Sequence, residues 1–248
     1  FTNTAFEGIL TLPVGQFASQ HVSGVRAHQD DAMYPAPFRY HRPGSLNDAI
    51  ALLLTLGDAA KPLAGGQSLI PILKLRMDEI SDLVDIARIP ELDQITQEND
   101  QIRIGALAPH ARIALAPIAK QIPALRDCAG GIADPQVRSR GTIGGSICTA
   151  DPSGDWAAFL HVLDAQVVSR GRDGERITPI ATFIRDAYTT ALASGELVTE
   201  IRIAPPRGRS GAAYIGFKKA APAYPAASAG VHLVLGDDDV CRTARLVL

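Results

Sequence analysis

Two short stretches decide how this chain is read: Ala64-Gly65-Gly66-Gln67-Ser68-Leu69, and Thr142-Ile143-Gly144-Gly145-Ser146 with Asp155 a little downstream. Each follows an apolar or extended segment and carries a Gly-Gly pair. Glycine lacks a Cβ and takes positive φ freely, so backbone at such a pair can approach a ligand closely. Successive exposed N–H groups in a loop of this kind form a concave site for an anion. Alone, either loop reads as an ordinary tight turn. Together they suit a dinucleotide, whose two halves are joined by a pyrophosphate.

Around the first loop the chain reads as a small α/β unit. Ser45-Leu46-Asn47-Asp48 is a capping-box pattern. Leu46, Ala49, Ile50, Leu53 and Leu54 follow at helical spacing, and Gly57 closes the helix. A short strand over 61–64 runs into the loop. Leu69, Ile72 and Leu73 predict a helical turn, and 82–86 a buried strand. Further on, the spacing predicts a strand over 101–104, helices over 111–116 and 123–129, the second glycine loop, and a helix over 156–163. A hairpin over 165–180 turns at Gly171-Arg172-Asp173-Gly174, and 196–203 alternates as a strand. Pro205 to Gly211 reads as a boundary or linker. Strands over 212–217, 228–235 and 241–248 follow, expected as the opening of a C-terminal domain that is cut short. Residues 1–32 show no helical or strand period. Met33 is expected near the natural start, which makes 1–32 an extension without a role in the fold; the alternative is an ordered arm packed on a partner.

Composition narrows the function. The 248 residues are 46% hydrophobic and 20% charged, ordinary for a globular protein with a sizeable core. The formal net charge is −2, with no basic stripe interleaved with aromatics, which argues against a nucleic-acid partner. No apolar run approaches the roughly 20 residues of a membrane span. Cys128, Cys148 and Cys241 form no C-x-x-C, and the six histidines form no H-x-x-x-H, so neither an iron–sulfur cluster nor a metal site is supported. Reduced thiols in a cytoplasmic protein are expected. G-x-G, Walker A and G-x-S-x-G are all absent. The residues by themselves therefore reach a nucleotide-binding protein of non-Rossmann type.

Four motifs carry a resemblance. They are Ala64-Gly65-Gly66-Gln67-Ser68-Leu69; Asp134-Pro135-Gln136-Val137-Arg138 leading to Arg140-Gly141-Thr142-Ile143-Gly144-Gly145-Ser146; Ala150-Asp151-Pro152 with Asp155; and Gly195-Glu196-Leu197 before Ile201. From Tyr34-Pro35-Ala36-Pro37-Phe38 to Leu248 the chain resembles the FAD-binding (medium) subunit of molybdenum hydroxylases, the family of the carbon monoxide dehydrogenase medium subunit and the xanthine dehydrogenase flavin domain. The resemblance implies an α+β fold: a vanillyl-alcohol-oxidase (PCMH)-type FAD-binding domain over 33–207, with subdomains 33–93 and 94–207. The start of a C-terminal α+β domain would occupy 208–248.

The resemblance also implies site residues. Leu63, Ala64, Gly65, Gly66, Gln67, Ser68, Leu69 and Ile70 would wrap the FAD pyrophosphate with main-chain N–H groups. Thr142, Ile143, Gly144, Gly145 and Ser146 would grip it from the other side, with the Thr142 and Ser146 hydroxyls as added donors. Ser146 stands where many relatives have Asn. Asp155 would accept a hydrogen bond from the cofactor, or cap the helix before Trp156, or both. Ile132 falls near the adenine or flavin pocket and Val198 near the isoalloxazine ring; plain core packing is the alternative for each. Lys218 falls beside the flavin pyrimidine, with Lys219 one register away. The stretch 220–225 fits the family pattern loosely.

In the family, molybdopterin sits in a large subunit and two [2Fe–2S] clusters in a small one, assembled as a heterotrimer. This chain would pass electrons from the clusters through FAD to an external acceptor. A stand-alone flavin-dependent oxidase of the same fold, or a truncated scaffold without catalysis, are the alternatives.

Overall fold

The computed structural model describes residues 34–98 and 100–248; the expectation for 1–32 lies outside the described residues. The first unit is a parallel three-stranded sheet of order β1-β3-β2, made of β1 (Arg39–His41), β2 (Ala60–Leu63) and β3 (Asp82–Asp85). Helix α1 (Leu46–Leu56) joins β1 to β2, and α2 (Leu69–Lys74) follows the first glycine loop. The expected cap of α1 is present: the Asp48 amide donates to Ser45 Oγ at 3.1 Å, and Gly57 ends the helix at φ +73°. Leu46, Ala49, Ile50 and Leu53 bury one face of α1 against Ala60, Val84 and Ile86. Asp82 ties β1 to β3, accepting from Arg39 and His41 at 2.7 Å each. The Arg39 hydrogen bond leads in holding the Asp82 carboxyl well below the usual carboxylate range.

The second unit is an antiparallel sheet of order β4-β5-β10-β6-β7. Its strands are β4 (Ile95–Glu98), β5 (Gln101–Gly105), β6 (Gln166–Gly171), β7 (Gly174–Pro179) and β10 (Leu197–Ile203). Between β5 and β6 the chain forms α3 (His110–Leu115), α4 (Ile118–Gln121), α5 (Pro123–Gly131), α6 (Pro135–Arg140), α7 (Ile143–Thr149) and α8 (Asp155–Val162). Trp156, Phe159, Ile104, Ile113, Leu125, Ile143 and Ile201 meet in its core. A short helix α9 (Ile180–Phe183) and the hairpin β8 (Ile184–Asp186)–β9 (Thr189–Thr190) complete it.

A third sheet, β11 (Arg209–Phe217), β12 (Ala227–Leu235) and β13 (Cys241–Val247), is antiparallel and packs on α5 and α8. The stretch read as a linker through Gly211 is shorter than expected. Arg209, Ser210 and Gly211 already pair with Leu235, Val234 and Leu233 in the ladder. The strand starts there because antiparallel pairing with β12 outweighs the turn preference of Gly and Ser.

Candidate functional site

The first glycine loop is a true loop. β2 ends at Leu63, Gly66 turns the chain at φ +77°, and α2 starts at Leu69. Gly65 lies against the backbone of the second motif. A Cβ built on it would collide with the Arg140 carbonyl oxygen and stand 2.7 Å from the Arg140 carbonyl carbon and 3.0 Å from Gly141 Cα. Among the described residues, the amides of Gly65, Gly66, Gln67 and Ser68 donate to no protein acceptor. A run of unpaired N–H groups in one turn is the concavity that anions occupy.

The second motif differs from its expectation. Residues 143–149 form helix α7, and Thr142 is its N-cap. Its amides are already used: Ile143 donates to Ala108 O, Gly144 to Ala106 O, Gly145 to Thr142 Oγ1 and Ser146 to Thr142 O. Main-chain donation from 143–146 to an anion is therefore corrected. The glycines serve close packing instead. A Cβ on Gly144 would stand 2.6 Å from Ala106 Cβ, and one on Gly145 2.8 Å from Thr142 Oγ1. The Thr142 hydroxyl accepts from Gly145 and keeps its own proton to donate.

The two motifs border one cleft of about 640 Å³, within the range of small-molecule sites. Ala64 to Leu69, Ile132, Thr142, Gly144, Gly145, Ser146, Asp155 and Val198 all line it. Leu63 and Ile70 line a smaller neighbouring cavity, about 220 Å³, that shares Ala64, Gly65 and Gly66. Ile143 is in the core, with its side chain fully buried.

Asp155 opens α8 but does not cap it; Gly154 holds the cap position. The Asp155 carboxylate, 5% exposed, accepts from Tyr214 Oη at 3.0 Å and Lys218 Nζ at 3.3 Å. Lys218 also donates to Gly131 O at 2.6 Å and so faces inward, whereas Lys219 is exposed. Burial pushes the Tyr214 phenol well above its ordinary value.

Ile132 reaches the cleft on a strained turn. Ala133 stands at φ +39°, and Arg138 donates to the carbonyls of Ile132 and Ala133 at 2.7 and 2.9 Å. Left-handed backbone costs a non-glycine residue roughly 1–2 kcal/mol, which these hydrogen bonds offset. At the far end, Gly195 (φ +73°) leads into β10. Glu196 accepts from Ser169 Oγ at 2.6 Å and from the Ala193 amide at 2.8 Å, and is ion-paired with Arg176. This anchor sets the strand that presents Leu197 and Val198 to the cleft.

Sequence reasoning missed several lining residues. His110, Tyr188 and Tyr224 carry no motif signal, and neither does Tyr214, which holds Asp155. Only the period-2 alternation of β11 singles Tyr214 out as its inward residue.

The parallel unit, the antiparallel unit and the cleft bordered by two glycine motifs define a nucleotide-binding α+β protein of non-Rossmann type. Residues 36–206 match a family described as "FAD binding domain in molybdopterin dehydrogenase". The chain belongs to this family of flavin-binding oxidoreductase components, and its fold is the family's α+β FAD-binding fold.

It is 42% identical over 217 residues to the carbon monoxide dehydrogenase medium chain of Afipia carboxidovorans, covering 87% of this chain and 75% of that one. It is 37% identical over 217 residues to the 6-hydroxypseudooxynicotine dehydrogenase complex subunit alpha of Paenarthrobacter nicotinovorans, covering 87% and 73%. Among solved structures it is similar to the carbon monoxide dehydrogenase of Hydrogenophaga pseudoflava that lacks the Mo-pyranopterin moiety. There the TM-score is 0.83 and the identity 38%, over 86% of this chain and 75% of that one. No helix among the described residues is long and apolar enough to cross a membrane.

Proposed function

We propose that this chain is the flavin-bearing electron-transfer subunit of a molybdenum-containing hydroxylase. It would work between the [2Fe–2S] clusters of a small subunit and an external acceptor, beside a molybdopterin-binding large subunit, in the cytoplasm. The observation that carries the reading is the cleft itself: two glycine motifs packed on each other, one of them presenting a run of unpaired amides.

The residues present fit FAD. Gly65 to Ser68 would hold the pyrophosphate through their amides, with the Thr142 and Ser146 hydroxyls adding donors. Ile132 and Val198 would flank the ring systems with apolar surface, Asp155 would accept from the cofactor's polar part, and Lys218, bonded to Asp155, would stand beside the flavin pyrimidine. When bound there, FAD supplies one- and two-electron redox chemistry, and the chain supplies binding, orientation and electrostatics. The two-unit topology supports a PCMH-type division, with the parallel unit over 33–93 and the antiparallel unit over 94–207. Residues 208–248 would begin a further domain.

The test is the visible spectrum of the purified chain, with released FAD assayed after denaturation. Stoichiometric non-covalent FAD, reducible through an added [2Fe–2S] partner, is expected. A colourless chain that FAD cannot reconstitute would sink the proposal.

A further inference from the structure

Trp156, the chain's one tryptophan, donates its indole N–H to Nδ1 of His110 at 3.0 Å. An indole N–H can only donate, so Nδ1 must be the acceptor, and the proton of the neutral imidazole is fixed on Nε2. His110 opens α3, and its own amide donates to Gly141 O at 3.0 Å. Trp156 of α8 thus orients the ring, and the His110 backbone is tied to the segment leading into the second motif.

Nε2 lies beside Gly141, where a Cβ would come within 2.9 Å of it. His110 and Gly141 both line the cleft, and Gly141 is also where Gly65 makes its close approach. Among the described residues, Nε2–H has no protein acceptor. The Nε2 edge borders the cleft, where a bound ligand can accept its proton. Here one nitrogen is spent on orientation and the other is left over at the junction of the two glycine motifs.

We infer that His110 is a cofactor-binding residue, its Nε2–H a fixed, neutral donor to the anionic bridge of the dinucleotide. The inference rests on the FAD reading above and adds to it a donor from outside every motif. A neutral ring held in one tautomer gives the bridge direction without net charge. Gly141 is required because any side chain there would displace the ring.

The test uses the full chain titrated with FAD, ADP and riboflavin. His110→Asn places an acceptor near the Nδ1 position and no donor at Nε2; His110→Gln places an amide donor near the Nε2 position. Losing a hydrogen bond to a charged group is expected to weaken FAD and ADP alike by about 10-fold or more in His110→Asn. Riboflavin, which has no phosphate, is expected to be unaffected. His110→Gln is expected to recover most of the loss. Emission from Trp156 reports whether the surroundings of the ring survive each substitution.

Should His110→Asn disturb folding, the parent decides: in ¹⁵N-labelled protein the His110 Nε2–H resonance is expected to move on adding ADP, and a resonance that stays put overturns the inference. Variants that bind FAD and ADP within twofold of the parent, or equal losses in Asn and Gln, overturn it as well. A parent that binds neither ligand overturns the functional reading and this inference with it.

Discussion

Gly65→Ala is the sharpest perturbation of the site. A methyl group there would stand 2.7 Å from the Arg140 carbonyl carbon and 3.0 Å from Gly141 Cα. Carbon atoms rest comfortably at about 3.5–4.0 Å, so the loop or the end of α6 must retreat by roughly 1 Å. Both partners are backbone, and no rotamer change can relieve the contact. Overpacking of this kind costs about 1–3 kcal/mol. At about 2–4 °C per kcal/mol for a chain of this size, the melting temperature should fall measurably. Affinity for FAD should fall further, at least tenfold, because the amides of 65–68 move with the loop.

Two companions set the scale. Gly66→Ala is strained at φ +77°, by about 1–2 kcal/mol, but its new neighbour is only the flexible tip of Ile70. Gly44→Ala meets nothing within 4 Å and should match the parent. Thermal melts and FAD titration on the three variants give the order: Gly65→Ala worst in FAD affinity, Gly66→Ala intermediate, Gly44→Ala neutral. If Gly65→Ala melts with the parent and binds FAD within twofold, contact between the two glycine motifs is not what orders the site.

Three further outcomes are expected. Burial, and after it the charge of Arg138, push His110 down to about 4 from 6.5, so stability is complete above pH 6.5 and is lost as pH falls towards 4. The drop of about 2.5 pKa units, at 1.36 kcal/mol each, bounds the loss near 3 kcal/mol; melting curves against pH should show it, and the uncharged ring replacement His110→Gln should flatten that limb. Asp155→Ala leaves the Lys218 ammonium, 13% exposed, without its partner and should cost about 3–5 kcal/mol, against about 1 kcal/mol for Tyr214→Phe. Denaturant unfolding that ranks the two the other way would refute the reading of a buried pair. Glu196→Gln should cost about 1–2 kcal/mol at neutral pH, a figure kept low because Arg176 is 42% exposed. Burial acts to raise Glu196, but the hydrogen bonds from Arg176 and Ser169 outweigh it and leave it lowered, so its contribution is present above about pH 4.5 and fades below. The stability gap between parent and Glu196→Gln should therefore close on acidification.

What could be read in the sequence was local. The cap at Ser45, the stripe Leu46-Ala49-Ile50-Leu53 and the stop at Gly57 each act within one or two turns, and they fix α1 without help from the rest of the chain. The hairpin pattern of 165–180 and the alternation of 196–203 likewise announce β6, β7 and β10. The second glycine motif was misread as a loop because two glycines in four residues argue against a helix. Tertiary packing overrides that propensity: Gly144 must sit on Ala106, and only a residue without a side chain fits. Helix α6 was overlooked although Asp134 caps it and Pro135 occupies its first turn; six residues are too few for a period to register. Tyr214 and Lys218 lie 59 and 63 residues from Asp155 in sequence, and His110 and Trp156 are 46 apart. No pattern in the linear chain couples residues at such separations.

The charges around the cleft explain how it can favour an anion. Lys61 is paired with Asp78 at 3.8 Å, Lys218 with Asp155, and Arg138 is spent on the carbonyls of Ile132 and Ala133. His110 is neutral, burial pushes the Cys148 thiol up to about 12, and Asp151 accepts from the Ser153 amide. Arg88 and Arg140 line the smaller neighbouring cavity that shares Ala64, Gly65 and Gly66, so positive side-chain charge stands beside the first glycine loop. Within the cleft itself oriented dipoles face inward: the amides of Gly65 to Ser68, the free proton of Thr142 and the Nε2–H of His110. Dipoles fixed by backbone and by a single tautomer recognise an anion by position, because they cannot follow a ligand that sits elsewhere.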